Sequence, residues 1–304
     1  MTPADHADGD AGRTDRTDRV PDSGDPSTAI GPFEIRPLES HADFEACVRL
    51  QEVTWGAGFS ERVPVTILKS IQKLGGVVSG AFDPSGRMLG FVFGITGWHD
   101  ESPHHWSDML AVAPEARDRR IGEALKWHQR KLLLERNIKH VEWTFEPLEA
   151  RNAWLNLVRL GATVVRYVRD YYGDSDATLH AVLGTDRFVV DWRLDSERVR
   201  RCSEGLYDIV GPKDVEHVPL IAAIGSTGDL AVPGEPRTDL DASRVQLPIP
   251  ASIQHVKAGD PDLAKEWRRV TRKALEAYMD RGYGVTTLVR YGRWSAYLLE
   301  RPGK

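Results

Sequence analysis

Cysteine is nearly absent: Cys47 and Cys202 are the only two in 304 residues, far apart and outside any Cys-x-x-Cys pair. That leaves no basis for a disulfide framework or a cysteine-built zinc site. No apolar run approaches the roughly 18–20 residues of a membrane-spanning helix, and the N-terminus lacks the basic-then-apolar layout of a signal peptide. An excess of positive charge is missing too. Forty basic against 45 acidic residues give a formal charge of -5, which argues against a nucleic-acid footprint or a membrane-binding patch. These absences together predict a soluble cytoplasmic protein with no nucleic-acid or membrane partner.

What is present begins with a polar tail. Residues 1–30 carry seven Asp against three Arg and almost no large apolar side chain. Such a segment cannot bury enough surface to repay the entropy of ordering, so it reads as disordered. Order is expected from Phe33-Glu34-Ile35, a short strand, and the first domain from 31 to 195. Ser40 with Asp43 resembles a capping box opening a helix through Trp55, and a second helix fits Val65 to Leu74. The turn cluster Asp83-Pro84-Ser85-Gly86 joins Val77-Val78 to Leu89-Gly90-Phe91-Val92-Phe93 as a hairpin. A loop from Trp98 to His105 precedes a strand from Ser107 to Val112. Then come a helix over 118–136, the strand Val141 to Phe145, a helix from Ala150 to Leu160 stopped at Gly161, and strands over 164–172 and 187–192. A hairpin mixed with strand-helix-strand units predicts an α/β fold of three layers around a mixed central sheet. Residues 196–304 read as a smaller α+β C-terminal extension, with a loop over 225–243, a helix over 260–281 capped by Asp260 and Pro261, and a hairpin over 283–300.

The chemistry concentrates between Asp108 and Leu125. A strand runs into a basic turn, and the turn opens directly into a helix. The first helical turn has unpaired N–H groups and the positive end of the helix dipole, which together hold a phosphate or pyrophosphate. Gly122 and Ala124 let a ligand approach the backbone, and Arg117, Arg119 and Arg120 add charge. Three arginines at a solvated helix start would give the same spacing without any ligand.

This stretch resembles the coenzyme A motif of the GNAT superfamily, V-x-P-x-x-R-G-x-G-I-G. Val112, Pro114, Arg117, Ile121 and Gly122 fall in register with it, while Arg120 stands where the motif has a glycine and Asp118 replaces the small residue ahead of it. The resemblance covers residues 33–195. Trp143-Thr144-Phe145-Glu146-Pro147-Leu148, Arg151-Asn152-Ala153, Leu160-Gly161-Ala162, Tyr171-Tyr172-Gly173 and Thr185-Asp186-Arg187-Phe188 are similar to a less characterised branch of that superfamily, and that similarity extends to the C-terminal helix and hairpin. It implies a GNAT-like three-layer fold that transfers an acyl group, acetyl or succinyl, from acyl-CoA to the amine of a small molecule such as an amino acid. By the same resemblance Leu110, Ala111 and Val112 would offer backbone groups to the pantetheine arm. The pyrophosphate would sit on Arg117 and on Arg119, Arg120, Ile121, Gly122, Glu123 and Ala124, and Asn152 would join the cofactor site. Acetyl-CoA or another acyl-CoA is the expected co-substrate, no metal is expected, and a homodimer stays open.

Attack of a neutral amine on a thioester needs a group that takes the ammonium proton. Many members of the superfamily carry a tyrosine four residues before the glycine of the helix end, and Leu157 occupies that position here. The substitutes are Glu146, then Asp108, then Tyr172. Each has a plainer role open to it: a helix cap for Glu146, an arginine partner for Asp108, a core hydroxyl for Tyr172. The cluster His99, Asp100, His104, His105 and Asp108 has ligand types that suit zinc, but a substrate-facing loop is the preferred reading. Two further alternatives remain, a non-catalytic acyl-CoA-binding module and a metal-dependent hydrolase built on that histidine-rich loop.

Overall fold

The computed structural model describes residues 32–99, 101–173 and 183–302. The tail expected over 1–30 and Asp100 of the histidine cluster lie outside them. From Phe33 onward the chain forms one compact unit.

Its larger sheet has seven strands in the order β1-β2-β3-β4-β5-β7-β6. The strands are β1 (Glu34–Pro37), β2 (Val77–Phe82), β3 (Met88–His99), β4 (Ser102–Val112), β5 (His140–Phe145), β6 (Thr163–Val168) and β7 (Arg187–Arg193). All neighbours are antiparallel except β4 and β5, so the sheet is mixed. Within the segment expected as a loop from Trp98 to His105, Trp98, His99 and residues 102–105 are strand instead, because β3 and β4 pair as far as His99 opposite Ser102. Histidines, carboxylates and a proline in this stretch carry no two-residue apolar period, so this hairpin end had no strand signal.

Helices cover both faces. Adjacent residues of β3 point opposite ways: a Cβ on Gly90 would touch Ile121 and Leu125 of α3 (Ile121–Glu135), whereas the ring of Phe91 packs 6.3 Å from Trp55 of α1 (His41–Trp55). The helix α1 begins with the Ser40 and Asp43 capping box. Asp43 also pairs with Arg36 of β1 at 2.8 Å, tying the helix start to the sheet. The second helix is α2 (Val65–Lys73). The helix expected from Ala150 to Leu160 is α4 (Ala150–Ala153) continued by a π-helical segment over Trp154–Arg159.

The C-terminal part contains α5 (Glu197–Ser203), a hairpin of β8 (Ile224–Thr227) and β9 (Leu230–Pro233), and β10 (Arg244–Pro250). After these come α6 (Ile253–Gly259), α7 (Pro261–Asp280), β11 (Gly284–Arg290) and β12 (Trp294–Glu300). Part of the expected 225–243 loop is therefore a small hairpin, its turn at Gly228 with φ +60°. Two four-residue strands among Gly, Pro and Asp are too short to announce themselves by period. Asp260 accepts from the N–H groups of Asp262 and Leu263 and starts α7, a cap worth about 1 kcal/mol. The helix buries Ala264, Trp267, Val270, Thr271, Ala274, Leu275 and Tyr278, a stripe at helical spacing. That stripe joins a single apolar core running from Val141, Trp143 and Trp192 to Val245, Tyr297 and Leu299. The boundary expected at 195 separates two sheets that share one core.

Candidate active site

The helix α3 has an unusual start. Of the three helices longer than ten residues among the described residues, α1 and α7 have side-chain caps, but the residue before α3 is Arg120, which offers no acceptor. The N–H groups of its first turn are left for solvent or an anion. Asp118 and Arg120 both take positive φ, 64° and 58°, a conformation costing about 1 kcal/mol or more in a non-glycine residue. These are the two positions where the GNAT pattern has small residues. The backbone thus makes a glycine-type turn without glycine, and such alternation turns successive N–H groups toward one point.

The side chains around that turn are tied down. Arg120 bends back to Glu123 at 3.0 Å and to the Tyr207 hydroxyl at 3.2 Å. Glu123 is buried and also takes Arg159 at 3.0 Å, so its carboxylate is committed inside the protein and only its N–H faces the helix start. Arg117 is exposed and Arg119 half-buried. Asp118 pairs with Arg151 at the start of α4, which brings the neighbouring exposed Asn152 to the rim of the same turn. A Cβ on Gly122 would meet the side-chain ends of Leu110 and Val112 at 3.3 and 3.7 Å. The helix start and the end of β4 are therefore in direct contact.

The strands β4 and β5 run in parallel for three pairs only, His104 with His140, His105 with Val141 and Trp106 with Glu142. Beyond Trp106 they part, and among the described residues Ser107–Val112 keeps β3 as its sole strand neighbour. The register of β3 against β4 slips at the same level: Phe93 lies opposite Met109 and Ile95 opposite Trp106, so Gly94 faces both Ser107 and Asp108. A bulge of this kind re-aims the strand. Gly94 is required there, since a Cβ would overlap the His105 ring and the Trp106 carbonyl. Leu110, Ala111 and Val112 consequently border an opening that leads from the α3 start into the sheet.

On the α1 face of the opening stand Asp108, Glu142, Thr144 and Tyr172. Asp108 reaches solvent, yet loss of hydration raises its carboxyl above the usual range, with Glu61 pushing the same way and a hydrogen bond from Trp106 opposing. Tyr172 shares a hydrogen bond with Thr144 at 3.1 Å, and Arg187 lies 5.2 Å from its ring centroid. Burial raises the neighbouring Tyr171 hydroxyl, with Tyr172, Glu142 and Asp108 adding and Arg166 opposing. That places all of these groups within electrostatic reach of each other. Next to them lies a cleft of about 700 Å³ lined by His99, His104, His140, Glu142, Arg166 and Asp191, among others.

Glu146 is occupied elsewhere. It accepts from the Leu148 N–H at 2.9 Å and pairs with Arg268 at 2.6 Å and Arg187 at 3.3 Å. Two guanidinium groups thus hold this carboxylate at the end of β5. The histidines are divided by the strand alternation. His104 faces the cleft, whereas His105 is buried on the α3 side and bonded to Gln129 and Thr96. Among the described residues no group of three or more His, Cys, Asp or Glu could hold a metal ion.

Sequence reasoning missed Lys126, Ser107 and Gln129, which meet behind the opening, and Glu142, Arg166 and Asp191 in the cleft. Lys126 and Gln129 sit beside the apolar stripe of α3, where a charged or amide residue reads as solvent-facing. No helix is long and apolar enough to cross a membrane among the described residues.

No protein-family model and no curated protein matches the chain. Solved structures do. The ribosomal-protein-S18-alanine N-acetyltransferase from Escherichia coli is 19% identical, covering 54% of this chain and 96% of its own, at a TM-score of 0.42. Naa20 of Chaetomium thermophilum in complex with a bisubstrate analogue is 18% identical over 56% of this chain and 89% of its own, also at 0.42. For yncA from Salmonella typhimurium with its cofactor acetyl-CoA the values are 18%, 55%, 96% and 0.43. The likeness spans about half of this chain and concerns the fold alone.

Proposed function

We propose that the protein transfers an acyl group from acyl-CoA to the amine of a small molecule of the amino-acid class. The observation that carries this reading is the parting of β4 and β5 directly beside an uncapped helix start whose turn holds two non-glycine residues at positive φ. A pyrophosphate on the N–H groups of Ile121, Gly122 and Glu123 would direct an extended pantetheine arm along the free edge of Leu110–Val112, whereas the Ala124 N–H donates to the Arg120 carbonyl at 3.0 Å. The thioester would then arrive at the bulge, with Asp108 on the far side. The amine attacks from the cleft, where Glu142 and Asp191 suit an ammonium group and Arg166 suits a carboxylate. Asp108 takes the proton, because a carboxylate raised by desolvation is a better base near neutral pH; Tyr172 orients the acceptor. Glu146, bound to two arginines, fixes the end of β5 instead.

The test is incubation with acetyl-CoA and succinyl-CoA against a panel of amino acids, with mass spectrometry of the products. Acylated amino acid together with free coenzyme A is expected. Absence of any acylated amine, with coenzyme A still bound, favours a binding module instead.

A further inference from the structure

We infer that Lys126 stabilises the leaving thiolate of the acyl-CoA at the point where β4 and β5 part. This rests on the acyl-transfer reading above. Lys126 projects from α3 and is 3% exposed. Its Nζ donates to the Ser107 hydroxyl and the Gln129 carbonyl oxygen, each at 2.9 Å, and lies 3.7 Å from the centroid of Trp143 and 5.2 Å from that of Trp192. Ser107 is the first β4 residue beyond the last pair with β5, and Trp143 is the first such residue of β5. The amine therefore bridges the two strands at the apex of the opening, on the face that α3 covers. It has no carboxylate partner among the described residues.

A buried cation without a counter-ion is costly, and burial pushes Lys126 well below the usual lysine range. A structural role would be met by methionine at no such cost. Its anchors are set by a directional chain. Thr96 donates to the Gly75 carbonyl, the His105 ring lies 3.0 Å from Thr96 and from the Gln129 amide, and Ser107 donates to Gln129. Burial, with Lys126 and Arg136 adding, lowers the His105 pKa to about 3. The ring is thus neutral, with Nδ1 donating to Thr96 and Nε2 accepting from Gln129. Each of Thr96, His105, Gln129 and Ser107 donates to an acceptor within the chain, which leaves the Lys126 amine as the N–H donor at the end beside the parted strands.

What becomes negative there during acyl transfer is the thioester. The amine nitrogen bonds to the carbonyl carbon, the C–S bond breaks with its electron pair on sulfur, and the amine's proton passes to Asp108 and on to water. Because the pantetheine arm enters along the α3 face, sulfur is the atom on the Lys126 side and the carbonyl carbon lies toward Asp108. An N–H donor in a low-dielectric site strengthens as that charge grows. The thiolate collects a proton from water on release.

The test compares wild type, Lys126→Met and Lys126→Gln with acyl-CoA and with the same acyl group on an aryl thiol, whose thiolate needs little help. Lys126→Met should lower kcat with acyl-CoA about 100-fold at unchanged KM, bind coenzyme A as wild type does, and approach the wild-type rate on the aryl thioester. Should the methionine variant fail to fold, Lys126→Gln, which keeps a polar contact with Ser107, should show the same selective loss. Equal losses on both thioesters, or no loss on either, overturn the assignment. Wild-type protein that binds no coenzyme A overturns the acyl-transfer reading and this role with it.

Discussion

Asp108 and Glu146 are both carboxylates near the parted strands, and their neighbours give them different chemistry. Asp108 has lost hydration without gaining a cation, whereas Glu146 faces Arg187 and Arg268. Asp108→Asn should cut kcat by about 10²–10⁴ and remove the acidic limb of the pH–rate profile, since the raised carboxyl would otherwise have to lose its proton before the amine is attacked. Glu146→Gln should leave that limb in place and lower stability by about 3 kcal/mol, through two arginines left short of charge. Steady-state kinetics across pH and a denaturation curve for each variant check both outcomes, and a lost acidic limb in the glutamine variant would reverse the assignment. The sequence named both carboxylates but could not rank them, because Arg268 lies 122 residues from Glu146 in the chain. Lys126 was invisible for a related reason. Its burial comes from Trp143 and Trp192, two tryptophans contributed by strands distant in sequence.

Among the elements, the β4 bulge sets the geometry of the opening, and Gly94 makes the bulge possible. Gly94→Ala should cost about 3 kcal/mol in chemical denaturation, since its Cβ would meet the His105 ring and the Trp106 backbone well inside contact distance. A stability change near zero would mean that the strands are not held in this register. Elements with strong end signals were legible in the sequence: α1 from Ser40 and Asp43, α7 from Asp260 and Pro261, and the β2–β3 hairpin from its Asp-Pro-Ser-Gly turn. The bulge and the π-helical segment were not. A bulge is a property of two strands together, and the hydrogen bond from the Leu160 N–H to the Leu155 carbonyl has no counterpart in apolar spacing. Counting back four residues from Gly161 to Leu157 passes through that segment, so the position does not present the side chain that an α-helical count would.

At the scale of the whole molecule, the C-terminal part is bound to the seven-stranded sheet by charge as well as by the shared core. Asp186 is fully buried, accepts from Arg272 at 2.9 and 2.5 Å, and lies 3.5 Å from Arg268. Desolvation pushes its carboxyl up, but Arg272, Tyr167 and Arg268 together hold it below the usual value of 3.8. A carboxyl lowered by folding contributes stability that is present above its unfolded value and is lost as pH falls through the folded one. Asp186→Asn should therefore remove about 3–5 kcal/mol at neutral pH and flatten the acid side of the stability profile, measured by denaturation between acidic and neutral pH. The central claim is that one groove, from the α3 start to the parted strands, holds acyl-CoA, and calorimetric titration of coenzyme A into wild type and Gly122→Val tests it most directly. The added side chain has flexible neighbours in Leu110 and Val112, so the variant should fold. Binding to wild type, weakened at least about tenfold in the valine variant, or about 1.4 kcal/mol, is the predicted result. Equal affinity in a folded valine variant, or no binding to wild type, would contradict it.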